Sequence, residues 1–108
     1  MENIKVGDIL AGTWGYSMRI PSFYRVTKVT PKRVKAIELE KYMVRSTDGG
    51  YFQQGYERPV EPYVIDERAK EVICTPDADG YVRIPIGYGS HMWAKVWDGQ
   101  DIWADYMD

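Results

Sequence analysis

His91 is the only histidine of the chain, and its surroundings offer no partner for catalysis. A serine nucleophile needs a base within hydrogen-bonding reach, and the serine nearest to His91 is its immediate neighbour, Ser90. Adjacent residues of a β-strand point to opposite faces of the sheet, so this pair is not expected to act together. A lone histidine is more commonly a structural or surface residue. We therefore predict no catalytic role for His91.

The single cysteine, Cys74, follows the apolar residues Val72 and Ile73 and precedes a predicted turn. No histidine or second cysteine stands near it to activate the thiol, so we predict a buried and inert side chain. One cysteine cannot form an intrachain disulfide, which favours a reducing cytoplasm as the location. No segment has the roughly 20 apolar residues of a membrane helix, and no membrane association is predicted.

The remaining short motifs fail the tests for metal and nucleotide sites. Asp77, Asp79 and Gly80 have the look of a calcium loop, but the twelfth position of an EF-hand requires Glu and holds Tyr88. The stretch GYGS at 87–90 lacks the GK[ST] of a phosphate-binding loop and is predicted to be a bend between strands. We therefore predict a protein that is not an enzyme and that uses no cofactor and no metal.

Charge is distributed unevenly along the chain. Residues 19–45 contain eight basic and two acidic residues, a net charge of +6, while the rest contains six basic and fourteen acidic residues, a net charge of −8. Five of these basic residues are candidates for binding an anionic ligand, either nucleic acid or a nucleotide: Arg25, Lys28, Lys32, Arg33 and Lys35. Alternatively, these side chains simply extend into water.

The elements that position these charges are predicted to be strands. The stretch SFYRVTKVTPKRVKAIELE reads as a hairpin that turns at TPKR. If Val29 and Val34 close the turn, Lys28 lies opposite Lys35. The same register places Val26 opposite Ile37, Tyr24 opposite Leu39 and Arg25 opposite Glu38.

The stretch RSTDGGYFQQGYERP, residues 45–59, is predicted to be a long loop without regular structure. It combines flat aromatic faces with adaptable hydrogen-bonding groups, a composition favoured at recognition surfaces. The candidate binding residues are Tyr51, Phe52, Gln53, Gln54, Tyr56 and Arg58. The alternative, that the aromatic residues fold back to cap the core, stays open at this stage.

The C-terminal stretch KVWDGQDIWADYMD predicts a further hairpin, because Asp98-Gly99 separates two apolar runs. One face would then carry Trp93, Trp97, Ile102, Ala104 and Tyr106, and the other Ala94, Val96, Trp103 and Asp105. We predict that the tryptophans are mostly core, while Asp101, Asp105 and Asp108 face solvent.

The remaining elements complete an all-β, mainly antiparallel fold. EVICTPDADGYVRI predicts a hairpin with its turn at 76–80, KVGDIL predicts a first strand, and residues 65–73 allow a short helix or a strand end. At 108 residues the chain has the size of one domain. We predict a single β-rich domain over 1–108, built as a small SH3-like barrel or strongly bent sheet with at most one short helix.

Three motifs give the chain a family likeness: Trp14-Gly15-Tyr16, then Phe23-Tyr24-Arg25-Val26, then Trp97-Asp98-Gly99. In these the chain resembles a family of small uncharacterised proteins encoded by phages and mobile elements of gut bacteria. The resemblance implies a phage or mobile-element accessory protein and carries no activity. Three hypotheses follow: a non-enzymatic module binding an anionic ligand, a protein-binding inhibitor of a host defence system of the anti-CRISPR type, and a structural phage protein.

Overall fold

The computed structural model describes residues 4–87 and 89–107, and over these residues the chain forms nine strands and no helix. The strands are β1 (Ile9–Trp14), β2 (Ile20–Val29), β3 (Val34–Glu38), β4 (Lys41–Ser46), β5 (Gln54–Pro59), β6 (Val72–Pro76), β7 (Val82–Gly87), β8 (Ser90–Val96) and β9 (Ile102–Asp105). Six of them close a barrel in the order β1-β2-β3-β6-β7-β8, and the other three form a sheet in the order β4-β5-β9. All neighbours are antiparallel, which confirms the predicted all-β fold and small SH3-like barrel.

The barrel interior is filled by alternate residues of its strands, as expected where every second side chain points inward. The fully enclosed ones include Leu10, Val26, Val34, Cys74, Val82, Ile84 and Met92. Gly12 lies where β1 crosses β8, and a Cβ atom there would stand 2.4 Å from the carbonyl oxygen of Trp93. The barrel therefore closes only with glycine at this position.

The three-stranded sheet covers part of the outside of the barrel and creates a second, smaller core. Phe23 and Ile9 point outward from β2 and β1, and Leu39 packs with them. Trp97 and Ile102 contact this cluster, with the Phe23 and Trp97 rings 5.5 Å apart in a T-shaped arrangement. Edge-to-face pairs of this kind contribute about 0.5–1.5 kcal/mol beyond their burial.

A buried polar cluster joins the sheet to the barrel. The ammonium group of Lys41 donates to the carbonyl oxygen of Pro21 at 2.6 Å, to Glu57 Oε1 at 2.7 Å and to the hydroxyl of Tyr106 at 2.6 Å. The Tyr106 hydroxyl in turn donates to Glu57 Oε2 at 2.7 Å. All three donors of the ammonium group are thus used. We call Lys41, Glu57 and Tyr106 the buried clamp.

The predicted β2–β3 register is correct at the tip and wrong beyond it. Val29 pairs with Val34 and Lys28 with Lys35, as expected. A β-bulge between Val26 and Lys28 then shifts the pairing by one residue, so that Val26 lies opposite Ala36, Arg25 opposite Ile37, and Tyr24 opposite Glu38. An extra residue in one strand changes every later pair. The predicted pairs Val26–Ile37, Tyr24–Leu39 and Arg25–Glu38 therefore do not form.

The predicted C-terminal hairpin is also wrong. β8 pairs with β1 and β7, β9 pairs with β5, and Asp98-Gly99 links the barrel to the sheet. Trp93 and Trp97 do share a face, as the alternation predicted, but that face is the outside of the barrel. The sheet covers Trp97 only, and Trp93 is 52% exposed. Ala94, predicted to lie on the other face, points into the barrel and is buried.

The predicted loop at 45–59 is instead mostly a hairpin. Its ends belong to β4 and β5, with Arg45 opposite Tyr56 and Ser46 opposite Gly55, so only residues 47–53 form a loop. The hairpin with its turn at 76–80 is confirmed. Residues 65–73 contain a bridge to Leu39 and the start of β6, and no helix. Two predictions, for Tyr88 within the bend at 87–90 and for Asp108, fall outside the described residues.

Trp93 and Trp97 share the outer face of the barrel, but only Trp97 packs on the second core. We therefore expect them to contribute differently to stability. Trp97→Ala removes a ring that packs on Phe23, and we expect the free energy of unfolding to fall by about 3 kcal/mol, at the lower end for a core aromatic residue. Trp93→Ala is the matched control and should cost less than about 1 kcal/mol, since its ring is half exposed. Urea unfolding measures both values. Equal losses would contradict the interface between barrel and sheet.

We expect the two charges of the buried clamp, on Lys41 and Glu57, to stabilise each other. Lys41→Met leaves Glu57, 5% exposed, without its cation. We expect this variant to lose about 3–5 kcal/mol of unfolding free energy. The double variant Lys41→Met with Glu57→Gln should recover part of that loss, because no uncompensated charge remains. A double variant less stable than Lys41→Met alone would show that an uncompensated charge on Glu57 is not the cause of the loss.

Candidate binding surfaces

The exposed face of the three-stranded sheet carries a row of stacked side chains. Arg45 of β4, Tyr56 of β5 and Trp103 of β9 lie directly opposite one another across the three strands. The Arg45 guanidinium carbon stands 4.3 Å from the centre of the Tyr56 ring, and the Tyr56 and Trp103 rings are 5.5 Å apart in an edge-to-face arrangement. We call Arg45, Tyr56 and Trp103 the aromatic row. Its side chains are held in place by each other before any ligand arrives.

Arg58 extends this surface toward the β8–β9 connection. Its guanidinium donates to Asp101 Oδ1 and to Glu61 Oε1, both at 3.1 Å, and lies 5.3 Å from the centre of the Trp97 ring. Two carboxylates therefore neutralise this cation. The candidate residue Gln54 is similarly occupied, since its amide donates to Asp105 at 3.3 Å.

The loop at 47–53 continues the surface beyond the sheet and is organised by Asp48. The carboxylate of Asp48 accepts hydrogen bonds from the Ser46 hydroxyl at 2.6 Å and from the backbone amides of Phe52, Gln53 and Gln54. The Ser46 hydrogen bond is the main cause that lowers the pKa of Asp48. With the loop fixed in this way, Tyr51 is 81% exposed and Phe52 60% exposed. These two rings do not cap the core, which removes that alternative for them.

The basic hairpin tip is a compact turn at the far end of β2. The Thr30 hydroxyl bonds with the backbone of Arg33 in both directions at 3.1 Å, and this closes the turn around Pro31 and Lys32. Lys28 and Lys35 face each other just below it. Lys35 lies 3.9 Å from Glu71, whose other carboxylate oxygen accepts from the Thr27 hydroxyl. Among the described residues, Lys28, Lys32 and Arg33 have no carboxylate partner.

The structure does not bring the basic tip and the aromatic loop together. Gln54 pairs with Asp105, which bridges to Arg19 at the start of β2, whereas the tip follows Val29 at its end. About ten residues of strand separate the two, roughly 30 Å at 3.3 Å per residue. The β6–β7 turn, with Asp77 and Asp79, lies at the same end of the barrel as the tip and moderates its charge. Arg25 sits on the outside of β2, away from both surfaces.

Neither residue first considered for nucleophilic chemistry has a partner for it among the described residues. Cys74 is fully buried in the barrel, and burial raises the pKa of its thiol to about 11. His91 is exposed on β8 opposite Pro85 and lines an open cleft of 570 Å³ with Trp14, Tyr16 and Trp93. No three His, Cys, Asp or Glu side chains in the part of the chain described form a group that could hold a metal ion.

Sequence reasoning missed a polar chain that runs through the barrel. The Trp14 indole donates to the Ser22 hydroxyl at 2.8 Å, and that hydroxyl lies close to the carboxylate of Glu38. Burial raises the pKa of Glu38, and the charge of nearby Asp66 adds to that shift, while Lys41 and Ser22 oppose it. Glu38 was expected to lie opposite Arg25. The bulge in β2 brings Tyr24 opposite it instead, and Glu38 lies on the inner face of β3 with Val34 and Ala36.

Two members of the aromatic row, Arg45 and Trp103, were also absent from the candidate residues. Trp103 lies in β9 and Arg45 in β4, 58 positions earlier in the chain. The only available signal was the alternation in IWAD, which places Trp103 on the face opposite Ile102. Of the predicted loop residues, Tyr56 joins the row, Tyr51 and Phe52 lie in the adjoining loop, and Gln53 is exposed beside them.

No protein-family model matches this chain, and no match to it is found among curated proteins or solved structures. Within the described residues, no helix is long and apolar enough to cross a membrane.

The position of Glu38 predicts a pH dependence of stability. A folded-state pKa above the ordinary value of 4.5 means that the folded protein binds more protons than the unfolded chain just above pH 4.5. The stability contribution of Glu38 is therefore fully present below pH 4.5 and is lost as the pH rises through the raised pKa. Relative to Glu38→Gln, the wild-type protein should become less stable over this range. Urea unfolding at several pH values tests this.

The neighbouring Glu40 is exposed and provides the control, because Glu40→Gln should show no such trend. A free energy of unfolding of the wild type that stays constant or increases with pH, relative to that of Glu38→Gln, would contradict the placement of Glu38 at the inner face of the barrel.

Proposed function

We propose that this protein is a non-catalytic binding module that recognises a protein partner through the aromatic row and the adjoining loop at 47–53. The observation that carries this proposal is the row itself, in which Arg45 stacks on Tyr56 and Tyr56 contacts Trp103 on a solvent-facing sheet. Tyr, Trp and Arg are the residues most enriched among those that dominate the binding energy of protein interfaces. A row that is already ordered loses little side-chain entropy on binding.

The charge of this surface favours a protein over nucleic acid. Arg58 is held by Asp101 and Glu61, so Arg45 is the one cation of the sheet face without a carboxylate partner among the described residues. Binding to a phosphate backbone draws its affinity from several unpaired Lys and Arg side chains. Exposed rings with few net charges are instead typical of the centre of a protein interface.

Further apolar side chains enlarge the patch. Tyr42 lies opposite Arg58 on the same sheet face and is 48% exposed, and Val44 at the β4 bulge is 43% exposed. Tyr51 and Phe52 stand at the other end of the hairpin. Contiguous exposed apolar groups of this kind mark interaction sites on soluble domains.

The resemblance to phage and mobile-element proteins suggests which partner to seek. Small accessory proteins of that class commonly act by binding a host component, and a component of a host defence system is the partner we propose. The protein would work in the cytoplasm of that host cell. The protein would inhibit that component stoichiometrically, by staying bound to it, because a non-catalytic module has no turnover.

The second candidate function is binding of an anionic ligand, nucleic acid or nucleotide, at the basic tip. Its specific support is the set Lys28, Lys32 and Arg33, which lack carboxylate partners among the described residues. Because the tip and the aromatic row lie at opposite ends of β2, each can be changed without touching the other.

An affinity capture from host lysate, with and without nuclease, followed by binding to the purified captured protein, tests the proposal. Arg45→Glu and Tyr51→Ser alter the proposed surface, and both side chains are exposed, so the fold should tolerate them. Each should weaken binding about tenfold or more, since interface residues of this kind contribute about 2 kcal/mol. Arg83→Glu on the outside of β7 is the matched control and should leave affinity unchanged.

The tip variant Lys32→Glu with Arg33→Glu separates the two functions. Loss of binding in this variant alone, with a steep dependence on salt and sensitivity to nuclease, would replace the protein-partner proposal by the anion-binding one. Affinity for the captured protein that survives both Arg45→Glu and Tyr51→Ser would remove the aromatic row as the interface.

A further inference from the structure

A cavity of 310 Å³ enters the wall of the barrel where β6 leaves its neighbours. β6 is registered with β3 only from Val72 to Cys74 and with β7 only at Thr75 and Pro76. Before Val72 the chain runs past the end of β3, where the Asp66 amide donates to the carbonyl oxygen of Glu38 at 3.0 Å. This leaves an opening between the end of β3 and the end of β7, and the cavity occupies it.

Tyr24 lines this cavity and is 94% buried, yet its hydroxyl has no hydrogen-bond partner among the described residues. No fully enclosed polar side-chain atom of those residues lacks a partner. The hydroxyl must therefore reach the cavity space itself. A buried hydroxyl without a protein partner costs free energy unless a water or ligand bonds to it.

Glu38 lines the same cavity and gives its inner end a negative character. Tyr24 and Glu38 lie directly opposite each other and both point into the barrel. Burial and the charge of Asp66 disfavour the ionised form of Glu38, and they raise its pKa. A positively charged ligand group at this place would relieve both effects.

The rim of the cavity has the opposite charge. Arg68 and Lys70, from the connection that precedes β6, line the entrance, and both are exposed. Neither forms an ion pair with a carboxylate of the described residues. Val72, Pro85 and Ile86 supply apolar walls between the rim and the floor. A volume of 310 Å³ is at the lower end for ligand pockets, which favours a small molecule.

We propose that this cavity binds a small zwitterion of the free amino-acid type, with its ammonium group at Glu38 and Tyr24 and its carboxylate at Arg68 and Lys70. The floor accepts hydrogen bonds, the rim donates them, and the apolar walls contact a short side chain. This site is separate from the aromatic row, because it opens through the barrel wall and shares no residue with the three-stranded sheet.

The indole N–H of Trp14 provides a specific reporter of binding. It donates to Ser22, whose hydroxyl lies close to Glu38, so a ligand on Glu38 should change its environment through one intervening side chain. The chain has four tryptophans, and their indole signals are easily separated in a ¹H–¹⁵N spectrum. Titration with each of the free amino acids in turn is expected to shift the Trp14 signal for at least one, with saturation.

Three variants locate the site. Glu38→Gln and Arg68→Ala should each weaken binding of that amino acid about tenfold or more, since each removes a charged hydrogen-bond partner. Tyr24→Phe removes only the hydroxyl and should weaken binding by a smaller factor. Arg83→Ala, on the outside of β7, is the control and should bind as the wild type does.

Two results would overturn the proposal: no free amino acid produces a saturable shift, or the amino acid that does so binds Glu38→Gln and Arg68→Ala as tightly as wild type. Binding of nucleoside monophosphates without any amino acid binding is a case of the first result, and it would show that the ligand class is wrong. Since the partner-binding experiment uses other residues, failure here leaves the proposed function standing, and failure there leaves this site standing.

Discussion

The buried clamp is the interaction on which the rest of the structure depends. A three-stranded sheet needs its apolar face covered to be stable, and here that face packs on a closed barrel that has no free edge to extend. Lys41 connects the sheet to the barrel. Its ammonium group donates to the carbonyl oxygen of Pro21 on β2 and neutralises Glu57 within the sheet. Tyr106 completes the cluster, and burial, together with Glu57, raises the pKa of its hydroxyl, so it stays a neutral donor. Removing the Lys41 charge leaves the buried Glu57 carboxylate without its cation.

Attachment of the sheet gives its two faces different environments, one packed on the barrel and one exposed to solvent. The inner face presents Ile102, Ala104 and Glu57 to the barrel, and Gly55 permits a close approach of β4, since a Cβ there would stand 2.1 Å from the Arg45 carbonyl oxygen. The outer face is then free to carry the aromatic row. Because alternate residues of a strand point to opposite faces, the same four residues of β9 both complete the second core and display Trp103.

The β2 bulge is a second constraint, with consequences inside the barrel. By shifting the pairing one residue, it brings Tyr24, and not Arg25, opposite Glu38, which lies on the inner face of β3 with Val34 and Ala36. A carboxylate and a phenol then share a space that β6 does not fill, and the cavity with its basic rim results. The chain thus has two separate surfaces. One is the outer face of the sheet that packs on the barrel, and the other is the cavity at the gap in the barrel wall.

The sequence by itself determined the all-β class, most of the strands and the β2–β3 and β6–β7 turns, because alternation and turn residues are local signals. It missed the β4–β5 hairpin, which it predicted to be a loop, and placed the first strand at 5–10 where the structure has 9–14. It also gave the faces of Trp97 and Trp103 correctly. It could not decide which strand β9 joins, since Asp98-Gly99 suits a hairpin and a link between sheets equally well. Nor could it reveal the bulge, the buried clamp or the pairing of Arg45 with Tyr56 and Trp103. These depend on contacts between residues distant in the chain, and only the closed barrel and the sheet packed on it bring such residues together.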